Sequence, residues 1–89
     1  MSTKTWTVQV TIDEKGDDTL ADATLNLENK MEVRGHGASR RNPRDESEPR
    51  IGDELATARA LSDLAHQLLA AAATDIESRT HVPATSLQL

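Results

Sequence analysis

Two glycines one residue apart, Gly35 and Gly37, lie in a segment whose other residues alternate between apolar and polar. Glycine weakens a strand and usually marks a place where another part of the chain approaches closely. An alanine-rich stretch over residues 55–76 follows, and its small side chains are suited to such an approach. The sequence therefore predicts a long helix that packs unusually close against a strand carrying both glycines.

Three segments show the period-two alternation of half-buried strands: residues 6–12, 19–28 and 31–41. The second is less clear than the others, but a strand separates its apolar from its polar residues more cleanly than a helix does. A polar, glycine-containing turn at residues 13–18 joins the first two segments as a hairpin. The residues predicted to face the core are Trp6, Val8, Val10 and Ile12, then Ala21, Ala23, Leu25 and Leu27, then Met31, Val33, Gly35 and Gly37.

The helix is predicted to begin just after Pro49, with Asp53 and Glu54 in its first turn, where carboxylates interact favourably with the helix dipole. Its apolar residues recur at steps of three and four until Ile76, which predicts a helix of roughly 33 Å. The predicted sheet-facing stripe is Leu55, Ala58, Leu61, Ser62, Ala65, Leu68, Leu69, Ala72 and Ile76. The opposite stripe, predicted to face solvent, is Arg59, Asp63, His66, Gln67, Ala70 and Thr74.

These elements predict an α+β fold of order β-β-β-α, in which one long helix packs on one face of a three-stranded antiparallel meander. We expect a single domain over residues 5–77, an N-terminal end at residues 1–4 and a C-terminal tail at residues 78–89, in which residues 87–89 are a candidate short edge strand. The chain has one Trp and no Phe or Tyr, so its core must be built from small aliphatic side chains. A thin core of this kind favours a partner surface that adds burial.

The composition excludes several classes of site. The chain has no cysteine, which rules out disulfides and thiolate metal sites and favours a cytoplasmic location. Its first residues lack the apolar run of a signal peptide, and no stretch approaches the ~20 apolar residues of a membrane span. The net charge of −5 disfavours binding to polyanions unless basic residues cluster.

Basic residues do cluster in and after the third predicted strand. The candidate anion- or partner-binding residues are Arg34, His36, Arg40, Arg41, Arg44 and Arg50. An alternative is that these arginines pair with acidic neighbours and hold the loop before the helix, because Arg is well suited to bidentate pairing with carboxylates. The candidate acidic partners are Asp45, Glu46, Glu48, Asp53 and Glu54.

No catalytic, metal or cofactor site is predicted. His36, His66 and His81 lack the spacing of metal ligands. Ser39 and His36 lie at an odd offset on one strand, so their side chains point to opposite faces and cannot form a nucleophile–base pair. We therefore predict a non-catalytic interaction or structural module. Its exposed edge strands suggest a homo-oligomer or a protein partner, and the alternative is anion or nucleic-acid binding through the basic cluster.

Several runs resemble the family called "domain of unknown function 1876", which consists of small bacterial proteins. These runs are Trp6-Thr7-Val8, Gly35-His36-Gly37-Ala38, Arg40-Arg41-Asn42-Pro43 and Ile51-Gly52-Asp53-Glu54-Leu55-Ala56. The resemblance implies a fold like a double-stranded-RNA-binding domain without its first helix, and no established activity. The residues expected to have structural roles are Trp6, Gly35, Gly37, Pro43, Gly52, Asp53, Glu54 and Leu55.

Double-stranded RNA binding does not follow from the resemblance, since fold alone does not imply function. Such domains contact phosphates through their first hairpin loop and the start of the final helix. Here the hairpin loop at residues 13–18 is strongly acidic, and Asp53 and Glu54 lie near the start of the helix. Both places would repel the phosphate backbone.

Overall fold

Three antiparallel strands and one long helix make up the fold, which confirms the predicted β-β-β-α order. The computed structural model describes residues 2–81. Its elements are β1 (Gln9–Lys15), β2 (Asp18–Asn26), β3 (Glu32–Arg40) and α1 (Pro49–Thr80), and the strand order in the sheet is β1-β2-β3. The candidate edge strand at residues 87–89 lies outside the described residues.

The first hairpin is tighter than predicted, because β1 and β2 continue almost to its tip. Lys15 pairs with Asp18, and Gly16 and Asp17 form the turn between them. Gly16 has a φ of 60°, a value that glycine adopts more readily than other residues. The acidic end of this hairpin therefore has a fixed position beside the residues that follow β3.

The start of the first strand corrects a prediction. β1 begins at Gln9, and Trp6 and Val8 lie before it with exposures of 52% and 38%. Ile12 is 40% exposed, and only Val10 packs partly against the core. Trp6 is therefore not a core residue. Alternation indicates which face a side chain occupies, but the helix lies mainly over β2 and β3 and leaves this part of the face uncovered.

The core is small and aliphatic, as the composition predicts. Its strand residues come chiefly from β2, whose inward face is the predicted one. The buried core residues are Ala21, Ala23, Leu25, Val33, Ala56, Ala60 and Leu64.

Gly35 and Gly37 let the helix backbone rest directly on β3, which confirms the predicted close approach. A Cβ added to Gly35 would lie 2.8 Å from Leu64 Cα, and closer still to Ala60 O and Leu64 N. A Cβ added to Gly37 would lie 2.9 Å from the carbonyl carbon of Arg59, and closer to backbone atoms of Ala56 and Ala60. Two strand residues span ~6.6 Å and four helix residues span ~6 Å, so the contact repeats along both elements.

The same repeat determines which helix face is buried, and it corrects the predicted stripe. The sheet-facing residues are four apart and start at Gly52, followed by Ala56, Ala60 and Leu64. Ser39 continues the pattern, because its Oγ donates to Gly52 O at 2.9 Å. The closest contacts, at Ala56 and Ala60, admit only small side chains, and the larger Leu55, Leu61 and Ile76 remain 42–45% exposed on other faces of the helix.

The ends of the helix also differ from prediction. The helix begins at Pro49, whose ring favours the first helical position, and its first turn contains no acidic residue. Asp53 and Glu54 therefore lie beyond the first turn and do not complement its dipole there. The helix continues to Thr80 and ends at His81 in the left-handed conformation. Its 32 residues span ~48 Å against ~30 Å for β3, so its C-terminal turns project past the sheet.

Candidate functional site

The free edge of β3 is covered by two helix side chains. Asp63 Oδ2 accepts a hydrogen bond from the backbone N–H of His36 at 2.8 Å. Arg59 Nη1 donates to the carbonyl oxygen of Ala38 at 2.7 Å. These residues were predicted to face solvent, and the structure instead places them on the outward backbone groups of the strand. The edge that they occupy is closed to pairing with another strand.

The spacing of Arg59 and Asp63 in the sequence matches the spacing of the β3 backbone groups that they contact. Arg59 and Asp63 are four apart on the helix, and their targets are two apart on β3, which is the same repeat that places Gly35 and Gly37 under Ala60.

The hydrogen bond from His36 is the main cause that lowers the pKa of Asp63 below its ordinary value of 3.8, and a bond from Gln67 adds to it. The contact thus favours the ionised carboxylate.

The opposite edge of the sheet, formed by β1, is open. The backbone groups of His36 and Ala38 on β3 face away from β2. Because this direction alternates along each strand, the β1 residues whose backbone groups face away from β2 are Val10, Ile12 and Glu14. Within residues 2–81 no side chain donates to or accepts from these outward groups. In the described part of the chain, one edge is therefore capped and the other is free.

Exposed apolar side chains lie along the open edge. We call Trp6, Val8 and Ile12 the apolar strip; their exposures are 52%, 38% and 40%. They belong to the face of the sheet that carries the helix, at the side that the helix does not cover. Exposed apolar side chains grouped beside an unpaired strand edge are typical of a protein-interaction surface.

Glu14 connects this edge to the helix. Its carboxyl hydrogen-bonds the carboxyl of Asp53, and this contact, followed by the repulsion between the two groups, raises the pKa of Glu14 above its ordinary value of 4.5. Asp53 Oδ1 is buried without a hydrogen-bond partner within residues 2–81. The predicted pairing of Asp53 with an arginine is therefore wrong, and its neighbour is an acidic residue of β1.

Arg41 organises the loop between β3 and the helix. Its Nη2 donates to Asp17 Oδ1 at 2.6 Å, and its Nη1 donates to the carbonyl oxygens of Asn42, Pro43 and Asp45. The Arg41 backbone N–H also donates to Asp17 O at 2.8 Å. The side chain is 31% exposed, so this arginine is a structural link between the acidic hairpin and the loop.

The other clustered arginines are more exposed, and most of them have an acidic partner. Arg34 pairs with Glu32, and Arg40 lies 3.5 Å from Asp18. Arg50 lies 3.6 Å from Glu54, one helical turn away. The carboxylates of Asp45, Glu46 and Glu48 do not pair with these arginines, which corrects that part of the prediction. Within residues 2–81 Arg44 is the one member of the cluster without an ion pair.

His36 is held on the open face of the sheet. Its Nδ1 contacts Asp22 Oδ1 on the neighbouring strand, and the two residues are directly opposite in the β2–β3 register. Ser39 lies on the buried face, so it is separated from His36 as expected. The structure therefore brings His36 beside Arg34 and a carboxylate, rather than beside a nucleophile.

A cavity of about 320 Å³ lies between the first hairpin, the loop after β3 and the start of the helix. Its lining includes Glu14, Asp17, Arg40 and Arg41, but none of the described histidines. Ser39 also lines it, yet its hydroxyl already donates to a helix carbonyl. The polar groups at this cavity mainly connect the loop to the hairpin and the helix.

Two further classes of site receive no support from the described residues. No group of three His, Asp or Glu side chains between residues 2 and 81 is arranged to hold a metal ion. No helix in the same range is long and apolar enough to cross a membrane.

Fold and site together define a small α+β protein whose sheet has one edge capped by its own helix and one edge open. The chain belongs to the Rv2632c-like family, whose model matches residues 4–85. It is 49% identical over 84 residues to the uncharacterized protein Rv2632c of Mycobacterium tuberculosis (strain ATCC 25618 / H37Rv), which covers 94% of this chain and 89% of the relative. It is also 49% identical over 82 residues to the uncharacterized protein Mb1767 of Mycobacterium bovis (strain ATCC BAA-935 / AF2122/97), covering 92% and 86%.

The fold is shared with a solved structure. The crystal structure of Rv2632c superposes with a TM-score of 0.84 at 46% sequence identity, and covers 93% of this chain and 98% of that chain. The relatives are bacterial, as predicted. The resemblance to the "domain of unknown function 1876" family and to double-stranded-RNA-binding domains stays a prediction.

Proposed function

We propose that this protein is a non-catalytic interaction module that self-associates through the open edge of β1. The difference between the two sheet edges supports this most directly. Arg59 and Asp63 cap β3, whereas the outward backbone groups of β1 have no partner within residues 2–81. The absence of cysteine from the chain supports placing the module in the cytoplasm.

A second copy of the chain is the occupant that the sequence of the edge favours. Antiparallel pairing of β1 with β1 of a second copy has two-fold symmetry, which is the commonest symmetry of homodimers. If the axis passes through Gln9, Val8 lies opposite Val10 and Trp6 opposite Ile12. The apolar strips of both copies then meet on one face of a six-stranded sheet.

The same register also matches charges. Lys4 of each copy lies opposite Glu14 of the other. In the single chain Lys4 pairs with Glu28 at 2.8 Å, but both side chains are more than 60% exposed, and such surface pairs contribute little. Glu14 would gain a cation in place of its contact with another acid. Opposite charges across strands stabilise a pairing register.

The alternative function, anion or nucleic-acid binding, receives less support. The clustered arginines mostly have acidic partners, and Arg41 is bound to the hairpin and the loop. No aromatic side chain other than Trp6 exists in the chain to stack on bases. Catalysis is also disfavoured, since the cavity beside the helix start contains no imidazole among its lining residues.

Disulfide trapping tests the proposed register. In a pairing centred on Gln9 the two Gln9 residues form a non-hydrogen-bonded pair with Cα atoms about 4.5 Å apart. This is within the range of a disulfide, and the natural chain has no cysteine to interfere. We expect Gln9→Cys to form a covalent dimer under mild oxidation. Thr24→Cys, on the same sheet face but on the central strand, should form no covalent dimer.

Sedimentation equilibrium provides the independent measurement. The natural chain should associate, Ile12→Lys should weaken association at least tenfold, and Thr11→Lys on the opposite face should change it little. A monomer at all concentrations, or equal effects of the two lysine variants, would reject the β1 interface.

A further inference from the structure

The outward face of helix α1 carries an apolar pattern that the fold does not use. The residues of this pattern recur along the helix at alternating steps of three and four, which is the heptad spacing of a helix–helix interface. We call these nine positions and their helix cap the outer seam: Glu48, Ile51, Leu55, Ala58, Ser62, Ala65, Leu69, Ala72, Ile76 and Arg79. At 3.6 residues per turn the seam lies roughly opposite the sheet-facing residues.

The outer seam is exposed along most of its length, and only Ala65 and Leu69 are half-buried. Ile51, Leu55 and Ile76 are 53%, 45% and 42% exposed. Its C-terminal part lies on the helical turns that project past the sheet. None of the seam residues belongs to the hydrophobic core of the single chain, whose helix residues are Ala56, Ala60 and Leu64, with Leu68 packed against them.

From this seam we infer a second self-association surface, in which the helices of two copies pack antiparallel. In one antiparallel register every seam residue meets a complementary residue of the second copy. The layers are Glu48 with Arg79, Ile51 with Ile76, Leu55 with Ala72, Ala58 with Leu69, and Ser62 with Ala65, and the two-fold axis repeats each of them.

Size and charge both select this register. Leu55 and Leu69 each face an alanine, so large and small side chains interdigitate and the helices can approach closely. At each end Glu48 faces Arg79 with opposite charge, and neither side chain has an ionic partner within residues 2–81. A parallel pair would instead place the leucines opposite each other, and would leave alanine layers unfilled and like charges at both ends.

The two surfaces share no residue, although Ile51 and Leu55 of the outer seam line the same cavity as Glu14 of β1. A chain that uses both can form assemblies larger than a dimer, whereas loss of either surface leaves a dimer. The inference therefore goes beyond the proposed β1 pairing and does not depend on it.

Cysteine pairs distinguish the antiparallel register from all others. Ala58→Cys and Leu69→Cys proteins, mixed and oxidised, should form a mixed disulfide in good yield. Neither protein alone should do so, because in this register each cysteine lies ~16 Å along the axis from its own copy, beyond the ~7 Å that a disulfide allows. Self-linking of Ala58→Cys would show a parallel pair and overturn the proposal, as would absence of the mixed disulfide in folded protein.

Substitution provides a second readout. Leu69→Glu should weaken association through the seam at least tenfold, whereas Ala70→Glu, one residue away and off the seam, should not. Both measurements are repeated with Ile12→Lys, which disables the β1 edge. Persistence of the mixed disulfide and of the Leu69→Glu effect in that background supports a separate helix interface; their loss would show that the seam is not an interface of its own.

Discussion

Asp63 accepts a hydrogen bond from the backbone N–H of His36, 27 residues earlier in the chain, and so closes one edge of the sheet. Together with Arg59 on Ala38 O, this contact makes helix α1 both the cover of the core and the cap of β3. The protein protects one edge from non-specific pairing and leaves the other available. This asymmetry and the close packing that produces it have measurable consequences.

Asp63→Ala should open the capped edge. The variant leaves the outward N–H of His36 without its acceptor, so we expect a lower melting temperature and faster amide exchange at His36. It should also increase aggregation, because a second open edge permits growth beyond a closed assembly. Asp75→Ala removes a carboxylate from the projecting part of the same helix and serves as the control. An Asp63→Ala protein with unchanged exchange at His36 would contradict the proposed cap.

Gly37→Ala should destabilise the fold strongly. The added Cβ would lie within 3 Å of the backbone of Arg59 and nearer still to Ala56 and Ala60, and backbone atoms cannot move aside as a flexible side chain can. We expect a loss of about 3 kcal/mol in the free energy of unfolding, at the upper end of overpacking effects, measured by denaturant titration.

Gly16→Ala is the matched control for Gly37→Ala. Its added Cβ would meet nothing within 4 Å, so the expected cost is only the ~1–2 kcal/mol of placing alanine at a φ of 60°. Equal destabilisation by the two variants would show that the helix does not rest on β3 as closely as described.

Arg41→Ala should loosen the loop before the helix. The change removes a bond to Asp17 and three bonds to loop carbonyls, and we expect a loss of about 1–2 kcal/mol of stability and faster proteolysis within residues 42–48. Arg44→Ala, which removes an arginine without an ion pair, should change stability by less than ~0.5 kcal/mol. If Arg44→Ala has the larger effect, the assignment of Arg41 as the structural arginine is wrong.

Glu14→Gln should stabilise the monomer at neutral pH. The contact with Asp53 raises the pKa of Glu14 in the folded state, so the fold favours protonated Glu14. That contribution is fully present below the ordinary pKa of 4.5 and is lost as the pH rises through the raised value. The melting temperature of Glu14→Gln should therefore exceed that of the natural chain at pH 7, and the two should converge below pH 4.5. A constant difference across this range would contradict the carboxyl contact.

Much of the fold follows from local patterns in the sequence. The remaining parts are determined by which element packs over a given face of the sheet. Alternation identifies the inward residues of β2 and β3, and the two glycines predict the close helix. Met31, predicted to face the core, instead lies before β3 and is 61% exposed. The exposed position of Trp6 and the buried face of α1 could not be predicted from hydrophobicity, since Leu55, Leu61 and Ile76 of the helix are exposed while Ala56 and Ala60 are buried. The steric demand of Gly35 and Gly37 selects Ala56 and Ala60 instead, and rotates the helix away from its most apolar stripe.

Only part of the candidate site could be predicted from the sequence, because its residues contact partners that are distant along the chain. A cluster of arginines is visible in the sequence, but their partners Asp17 and Asp18 belong to a hairpin that is distant along the chain. The capping pair Arg59 and Asp63 resembles an ordinary solvent-exposed pair until the helix is placed along β3. The difference between the two edges therefore emerges only from the tertiary structure.

Amide hydrogen exchange, measured at several protein concentrations, tests the difference between the edges most directly. The account predicts that the N–H of His36 is protected at every concentration, because Asp63 binds it within one chain. The outward N–H groups of Val10 and Ile12 should exchange rapidly in dilute protein and become protected as concentration rises and β1 pairs with a second copy. Rapid exchange at His36, or exchange at Val10 and Ile12 that does not depend on concentration, would contradict the account.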